Sequence, residues 1–281
     1  MTIPPIFGRL IDDAAVFPPG DLPLADAVPA HVAHRSAWYS ALVGPLLCPA
    51  SSLESLASLA RTLPSPLEVA VVVDTGTAGV LAAVDTVAQE SHVVLRGVEV
   101  PLRGSPLGEN ARRTVAALDA ALGGPDDDEP AYVEVPREPG WEQALDVVAD
   151  AGYRAKLRTG GASPDAVPSD DAVAAFIVGC LDRGIPFKFT AGLHHAVRRP
   201  SEHGFLNMLV AAGTAVGGGA AADVAAALAL DDGARLAATV AELPAVSVRR
   251  WFASYGSCSI AEPLAELIAL GLVADPGKVA R

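Results

Sequence analysis

The sequence predicts a (βα)8 barrel of the TIM type, a single domain over residues 1–281. Three observations lead there. β-rich runs alternate with helical stretches from one end to the other, the reading expected of a parallel sheet joined by crossover helices. Eight such runs can be found, and eight parallel strands close on themselves more naturally than they form an open sheet. A chain of 281 residues that is 51% hydrophobic also supplies one core large enough for this architecture. Seven strands with an N-terminal lid is the nearest alternative.

The strands expected are Arg9–Val16, Ser40–Cys48, Leu67–Asp74, His92–Val100, Ala131–Val135, Arg154–Arg158, Pro186–Thr190 and Trp251–Tyr255. Between the fifth and sixth, Trp141, Ala144, Leu145 and Val148 recur at helical spacing, and Gly152 stands where a C-terminal cap belongs. Between the sixth and seventh, Val173, Phe176, Ile177, Cys180 and Leu181 form one apolar stripe. Asp170 and Asp171 precede that stripe, where negative charge suits a helix N-terminus, and Gly184 and Pro186 end it.

Some sixty residues separate the seventh and eighth strands, enough for an insertion of two or three helices that could cover the mouth of the barrel. Within it, the uncharged run Gly204–Ala222 is long enough to cross a bilayer but contains Asn207 and Gly217–Gly219. It reads as a buried helix followed by a loop. After the eighth strand, Ser259 and Glu262 have capping-box spacing ahead of Leu264, Leu267 and Ile268. The run Pro125–Pro130 (PDDDEP) reads as a solvated acidic loop.

A formal charge of −13 argues against nucleic acid or an anionic membrane as a partner. Three scattered cysteines, Cys48, Cys180 and Cys258, do not make a disulfide framework and suit a reducing compartment. The opening MTIPPIFGRLIDDA has neither the basic region nor the apolar run of a secretory signal, so the cytoplasm is the expected location. Alanine-rich helices leave a homo-oligomer open without marking a face for it.

Arginine outnumbers lysine 17 to 3, and two of the three lysines, Lys156 and Lys188, fall at equivalent places on consecutive strands. In a barrel the outer face of each strand is covered by apolar helices, so strand charges point inward or sit at strand ends. Alternation places Lys156 and Arg158 opposite Leu157, and Lys188 and Thr190 opposite Phe187 and Phe189. Lys188 therefore belongs inside, where an unpaired ammonium would deprotonate or find a partner. Candidate partners are Asp12, Asp13, Asp74, Glu99 and Glu134. A buried ion-pair network that only fills the barrel is the plain alternative to a catalytic cluster.

The turns after strands six, seven and eight carry Gly160-Gly161, Gly192 and Gly256-Ser257-Cys258. Small residues let backbone N–H groups converge on an anion, and the last turns of a barrel are a frequent phosphate site. With Arg158 beside them, a phosphate or carboxylate subsite is expected; tight turns without a ligand are the alternative. His194 and His195 point in opposite directions, so one faces the site. There it would move protons, or with Asp12 hold a divalent metal. His203 and Asn207, one helical turn apart, could extend the site. Cys180 belongs to the core, whereas Cys48 and Cys258 end strands and could touch a ligand.

With Lys156-Leu-Arg-Thr-Gly160 on strand six and Lys188-Phe-Thr-Ala-Gly192 on strand seven, the chain resembles the deoxyribose-phosphate aldolase-like class I aldolase barrels. Leu10-Ile11-Asp12, Cys48-Pro49, Glu99 and Gly256-Ser257-Cys258-Ser259 are similar to further elements of that family, in the same order. The strings depart from it at Leu157 and Arg158, at Glu99 in place of an aspartate, in His194-His195 and in the long insertion. The resemblance implies imine chemistry on a lysine.

The residues support that chemistry directly. A lysine becomes nucleophilic when desolvation or a second cation lowers its pKa, and Lys156 has Arg158 and Lys188 for neighbours. The expectation is a Schiff-base aldolase or lyase acting on a small anionic carbonyl compound, with Lys156, Lys188, Asp12 and Glu99 catalytic and no cofactor. Arg158, Gly160, Gly161, Gly192, His194, His195, Gly256, Ser257 and Cys258 would bind the substrate. A metal-dependent lyase, isomerase or hydrolase and a non-catalytic ligand-binding barrel are the alternatives.

Overall fold

The computed structural model describes residues 2–161 and 166–276. Its centre is a closed barrel of eight parallel strands in sequential order: β1 (Ile11–Asp13), β2 (Val43–Pro49), β3 (Leu67–Val72), β4 (Val93–Pro101), β5 (Ala131–Glu134), β6 (Arg154–Arg158), β7 (Phe187–Thr190) and β8 (Phe252–Ser257), with β8 pairing back to β1. The outer ring is α1 (Leu24–Ser36), α2 (Leu53–Ala60), α3 (Val80–Ala88), α4 (Leu107–Leu122), α5 (Trp141–Asp150), α6 (Asp170–Asp182) and α7 (Phe205–Val216), completed by α11 (Ala261–Ala269). The third lysine, Lys278, lies outside the described residues.

Each expected strand has its counterpart, with shifted ends. The first is shorter than expected, because Ala14 and the residues after it turn away at the mouth, while Ser40–Leu42 forms a helical turn before β2. β8 runs on to Ser257, so Gly256 and Ser257 are strand residues rather than part of the turn.

Alternation accounts for what each strand contributes. Phe187 and Phe189 point outward and meet Phe176 of α6 and Phe252 of β8, with ring centroids 5.2–6.2 Å apart. Lys188 between them is forced inward. Helix α6 carries the expected stripe, with Val173, Phe176, Ile177 and Cys180 buried, and the Ser169 hydroxyl caps it by accepting the N–H of Ala172.

The insertion before β8 contains α8 (Ala221–Ala229), α9 (Gly233–Ala241) and α10 (Ala245–Arg249) after α7. These helices do not cover the mouth. α8 and α9 pack on α7, and α10 packs on α7 and on Pro5–Phe7, ahead of the first strand. α7 is consequently apolar around most of its circumference, which explains the long uncharged run. Asn207 on it is structural: its amide donates to the carbonyls of Ala227, Leu228 and Leu230 at the end of α8, and its oxygen accepts from the N–H of Arg198. Among the described residues no helix is long and apolar enough to cross a membrane.

Candidate active site

Strand register gathers the charges. Glu134 of β5 lies beside Lys156 of β6, which lies beside Lys188 of β7. All three side chains point into the barrel, joined by Glu99 from β4 and Asp12 from β1. Glu99 bridges the lysines: one oxygen accepts from Lys156 Nζ at 2.5 Å and the other from Lys188 Nζ at 2.5 Å. Lys156 also pairs with Glu134 at 2.8 Å, and Lys188 pairs with Asp12, whose carboxylate accepts in addition from the Ser254 hydroxyl at 2.6 Å. Lys156, Lys188 and Glu99 are only 1%, 2% and 1% exposed, so these ion pairs carry the full burden of desolvation.

The electrostatics correct one expectation. Neither lysine has a lowered pKa. Burial pushes both down, but Glu134 and Glu99 around Lys156, and Asp12 and Glu99 around Lys188, outweigh it and raise both above the ordinary lysine value. Glu99 is correspondingly held down to about 2: burial opposes this, and the two ammonium groups prevail. The second cation expected to acidify Lys156 is neutralised because a carboxylate stands between the two amines. Arg158, with its side chain 52% exposed at the rim, is likewise tied to Glu134 at 3.1 Å.

The cluster divides two cavities. At the C-terminal mouth of the strands is a cavity of about 660 Å3 with Lys156, Glu99 and Arg158 in its wall. At the N-terminal end is a second of about 350 Å3, reached by Asp12, Lys188, Tyr132 and Ser254 and again by Glu99. Lys188 Nζ lies 5.2 Å from the centre of the Tyr132 ring. Lys156 is therefore the lysine that faces the mouth, and Lys188 stands behind Glu99.

Of the expected binding residues, Gly160, Gly161, Gly192, His194, Gly256 and Cys258 border the mouth cavity. A Cβ on Gly160 would lie 2.6 Å from the Cα of Gly192, so the turns after β6 and β7 touch backbone to backbone. Ala191 between them and the strand has φ 64°, a conformation uncommon for a residue with a side chain, held by the Thr159 hydroxyl donating to the Ala191 carbonyl at 2.7 Å.

Two residues are placed elsewhere. His195 turns away to Glu266 of α11, at 2.8 Å, and to Glu202. Ser257 closes on its own turn, donating to the Ser259 carbonyl at 2.8 Å. His194 is the histidine that faces the cavity, its Nδ1 3.5 Å from Cys258 Sγ.

The same alternation removes other candidates. Asp13, next to Asp12, points to the opposite face and accepts from His31 at 2.9 Å. Asp74 stands in the loop after β3 and accepts from the Ser51 N–H and hydroxyl. Cys48 is buried in the outer core, its thiol pushed up to about 12 by burial and by Asp74, and Leu47 faces the cavity in its place. His203 donates to the Pro168 carbonyl at 2.8 Å and is structural. Asp12 and His194 are not brought into one group, and among the described residues no three His, Cys, Asp or Glu side chains gather so as to hold a metal ion.

Two contributors escaped the sequence reading as site residues. Glu134 was visible as a candidate partner, but its place between Lys156 and Arg158 depends on strand register. The wall formed by Ala14, Phe17, Leu47 and Val72 looks in sequence like ordinary core. In comparisons with known proteins, no family model and no curated protein matches the chain.

Proposed function

We propose that the protein is a class I, Schiff-base lyase or aldolase acting on a small anionic carbonyl compound. The observation that carries this reading is a buried lysine in the wall of the mouth cavity, hydrogen-bonded to two carboxylates that can take and return its proton.

Imine formation begins when Lys156 gives a proton to Glu134 or Glu99, so that the neutral Nζ can attack the carbonyl carbon. The same carboxylic acid protonates the resulting alkoxide, takes a second proton from the nitrogen and delivers it to the hydroxyl, which departs as water and leaves an iminium ion. Loss of the proton from a β-hydroxyl breaks the adjacent carbon–carbon bond, and its electron pair enters the iminium to give an enamine. Protonation of the enamine and hydrolysis free the lysine; condensation is the same sequence reversed.

Lys188 shares the Glu99 carboxylate with Lys156 and pairs in turn with Asp12, so that Lys188 and Asp12 serve as its proton reserve. Arg158 and the glycine turns after β6 and β7 suit the anionic end of the substrate. The ordered match to the aldolase strings supports the same reading, by analogy.

The complete ion pairing of both lysines favours a second reading, a barrel that binds a ligand without reacting with it. Borohydride separates the two. Incubation with a panel of aldehydes, ketones and 2-oxo acids plus borohydride is expected to add the mass of one reduced carbonyl compound. No mass gain across the panel moves the assignment to the ligand-binding reading.

A further inference from the structure

The mouth cavity has two chemically different sides. Interior positions on β4, β5 and β6 are charged, and of these Glu99, Lys156 and Arg158 border the cavity. An apolar stretch of the wall comes from Ala14 just after β1, Phe17 in the following loop, Leu47 of β2 and Val72 of β3, the last directly beside Glu99 in strand register. Ala14, Leu47 and Ala70 form an apolar cluster separate from the main core, with Phe17 and Val72 packed against it.

Barrel interiors are ordinarily filled by bulky side chains in layers. Here space remains at the mouth instead, and Gly256 of β8 lets its neighbours pack close to the strand: a Cβ there would come within 3.2 Å of both Leu47 and Thr190. A polyhydroxylated substrate would leave its hydroxyls unpaired against this wall. A hydrocarbon chain would bury its surface there without leaving a polar group unpaired. The cavity of about 660 Å3 also exceeds what a three-carbon acid fills and lies within the range for larger ligands.

We propose that the mouth cavity takes an amphipathic acid, with its carboxylate and carbonyl at the Lys156–Arg158 corner and a hydrocarbon body along Ala14, Phe17, Leu47 and Val72. The position of the carbonyl rests on the proposed function; the apolar subsite does not.

The test uses straight-chain carboxylates from butanoate to octanoate, which have no reactive carbonyl and cannot form an imine. Their dissociation constants are measured by calorimetry on the full chain, and on a Phe17→Ser, Val72→Thr variant whose circular dichroism is first matched to the parent. The expected result is about fourfold tighter binding per added methylene, about two-hundredfold across the series. In the variant the gain per methylene should fall below about twofold, as less apolar surface lines the site.

Binding that does not depend on chain length overturns the proposal, as does an unchanged slope in the variant. Chain-length dependence without any borohydride adduct keeps the apolar subsite and removes the imine chemistry. An adduct with flat chain-length dependence does the reverse.

Discussion

Glu99 is the joint of the buried cluster, and Glu99→Gln tests it with little change of shape. The glutamine oxygen can still accept from one lysine, but its NH2 would face the other as donor against donor. Removing one member of a buried ion pair costs about 3–5 kcal/mol, a large part of the roughly 5–15 kcal/mol that holds a domain folded. A second route gives a similar magnitude. A carboxylate held down from 4.5 to about 2 contributes about 3 kcal/mol of stability at neutral pH.

The direction of the pH effect follows from that depressed value. The contribution is complete above about pH 5, where the unfolded carboxyl is already ionised, and is lost as pH falls through about 2. Urea unfolding at steps from pH 7 to 2.5, followed by tryptophan fluorescence, should show the variant about 3 kcal/mol less stable at pH 7. The gap should narrow steadily below pH 5. Carboxylates away from the cluster, such as Glu68 among its arginines, titrate in both proteins and cancel in the difference. A gap that stays constant across this range would refute the assignment of Glu99 as a buried anion between two ammonium groups.

Further expectations concern reactivity. Because the proton that Lys156 gives up stays on Glu134 or Glu99, the reactive pair holds as many protons as the resting ion pair, and the trapping rate should change by less than about threefold from pH 7 to 9. Glu134→Gln, which removes one of the two proton acceptors, should slow trapping at pH 8; a rate that rises about tenfold per pH unit would show that the amine loses its proton to solvent instead. Cys258, half-buried at the cavity and with its thiol raised by burial and Glu262, should alkylate slowly with iodoacetamide at pH 8. Octanoate should protect it, while Cys48 and Cys180 remain unmodified in the folded protein. Faster labelling of either buried thiol would contradict the placement of the core.

The barrel was legible because its strands alternate strictly where it matters. Phe187-Lys188-Phe189 can bury two rings against a helix only by pointing the lysine inward, so the interior position of Lys188 followed from the string alone. Lys156 followed from the same argument around Leu157. Protonation was not legible. Whether a second lysine acidifies the first depends on what stands between them, and Glu99 comes from β4, more than fifty residues away along the chain.

Glu134 shows the same limit, since its neighbours are fixed by the pairing of β5 with β6. The insertion was misjudged for a different reason. Helices α7–α10 bear apolar faces that must be covered, and periodicity does not say whether the mouth or the outer ring will cover them. The apolar side of the cavity was hidden because alanine, leucine and valine on a strand look alike whether they fill a core or line an empty space.

The central claim is that Lys156, rather than Lys188, is the amine presented to the ligand, and peptide mapping tests it most directly. After borohydride trapping and proteolysis with an enzyme that does not cut at lysine, the account predicts the added mass on the peptide carrying Lys156, with the peptides of Lys188 and Lys278 unlabelled. A label on Lys188, which stands behind Glu99 and opens toward the far end of the barrel, would contradict it.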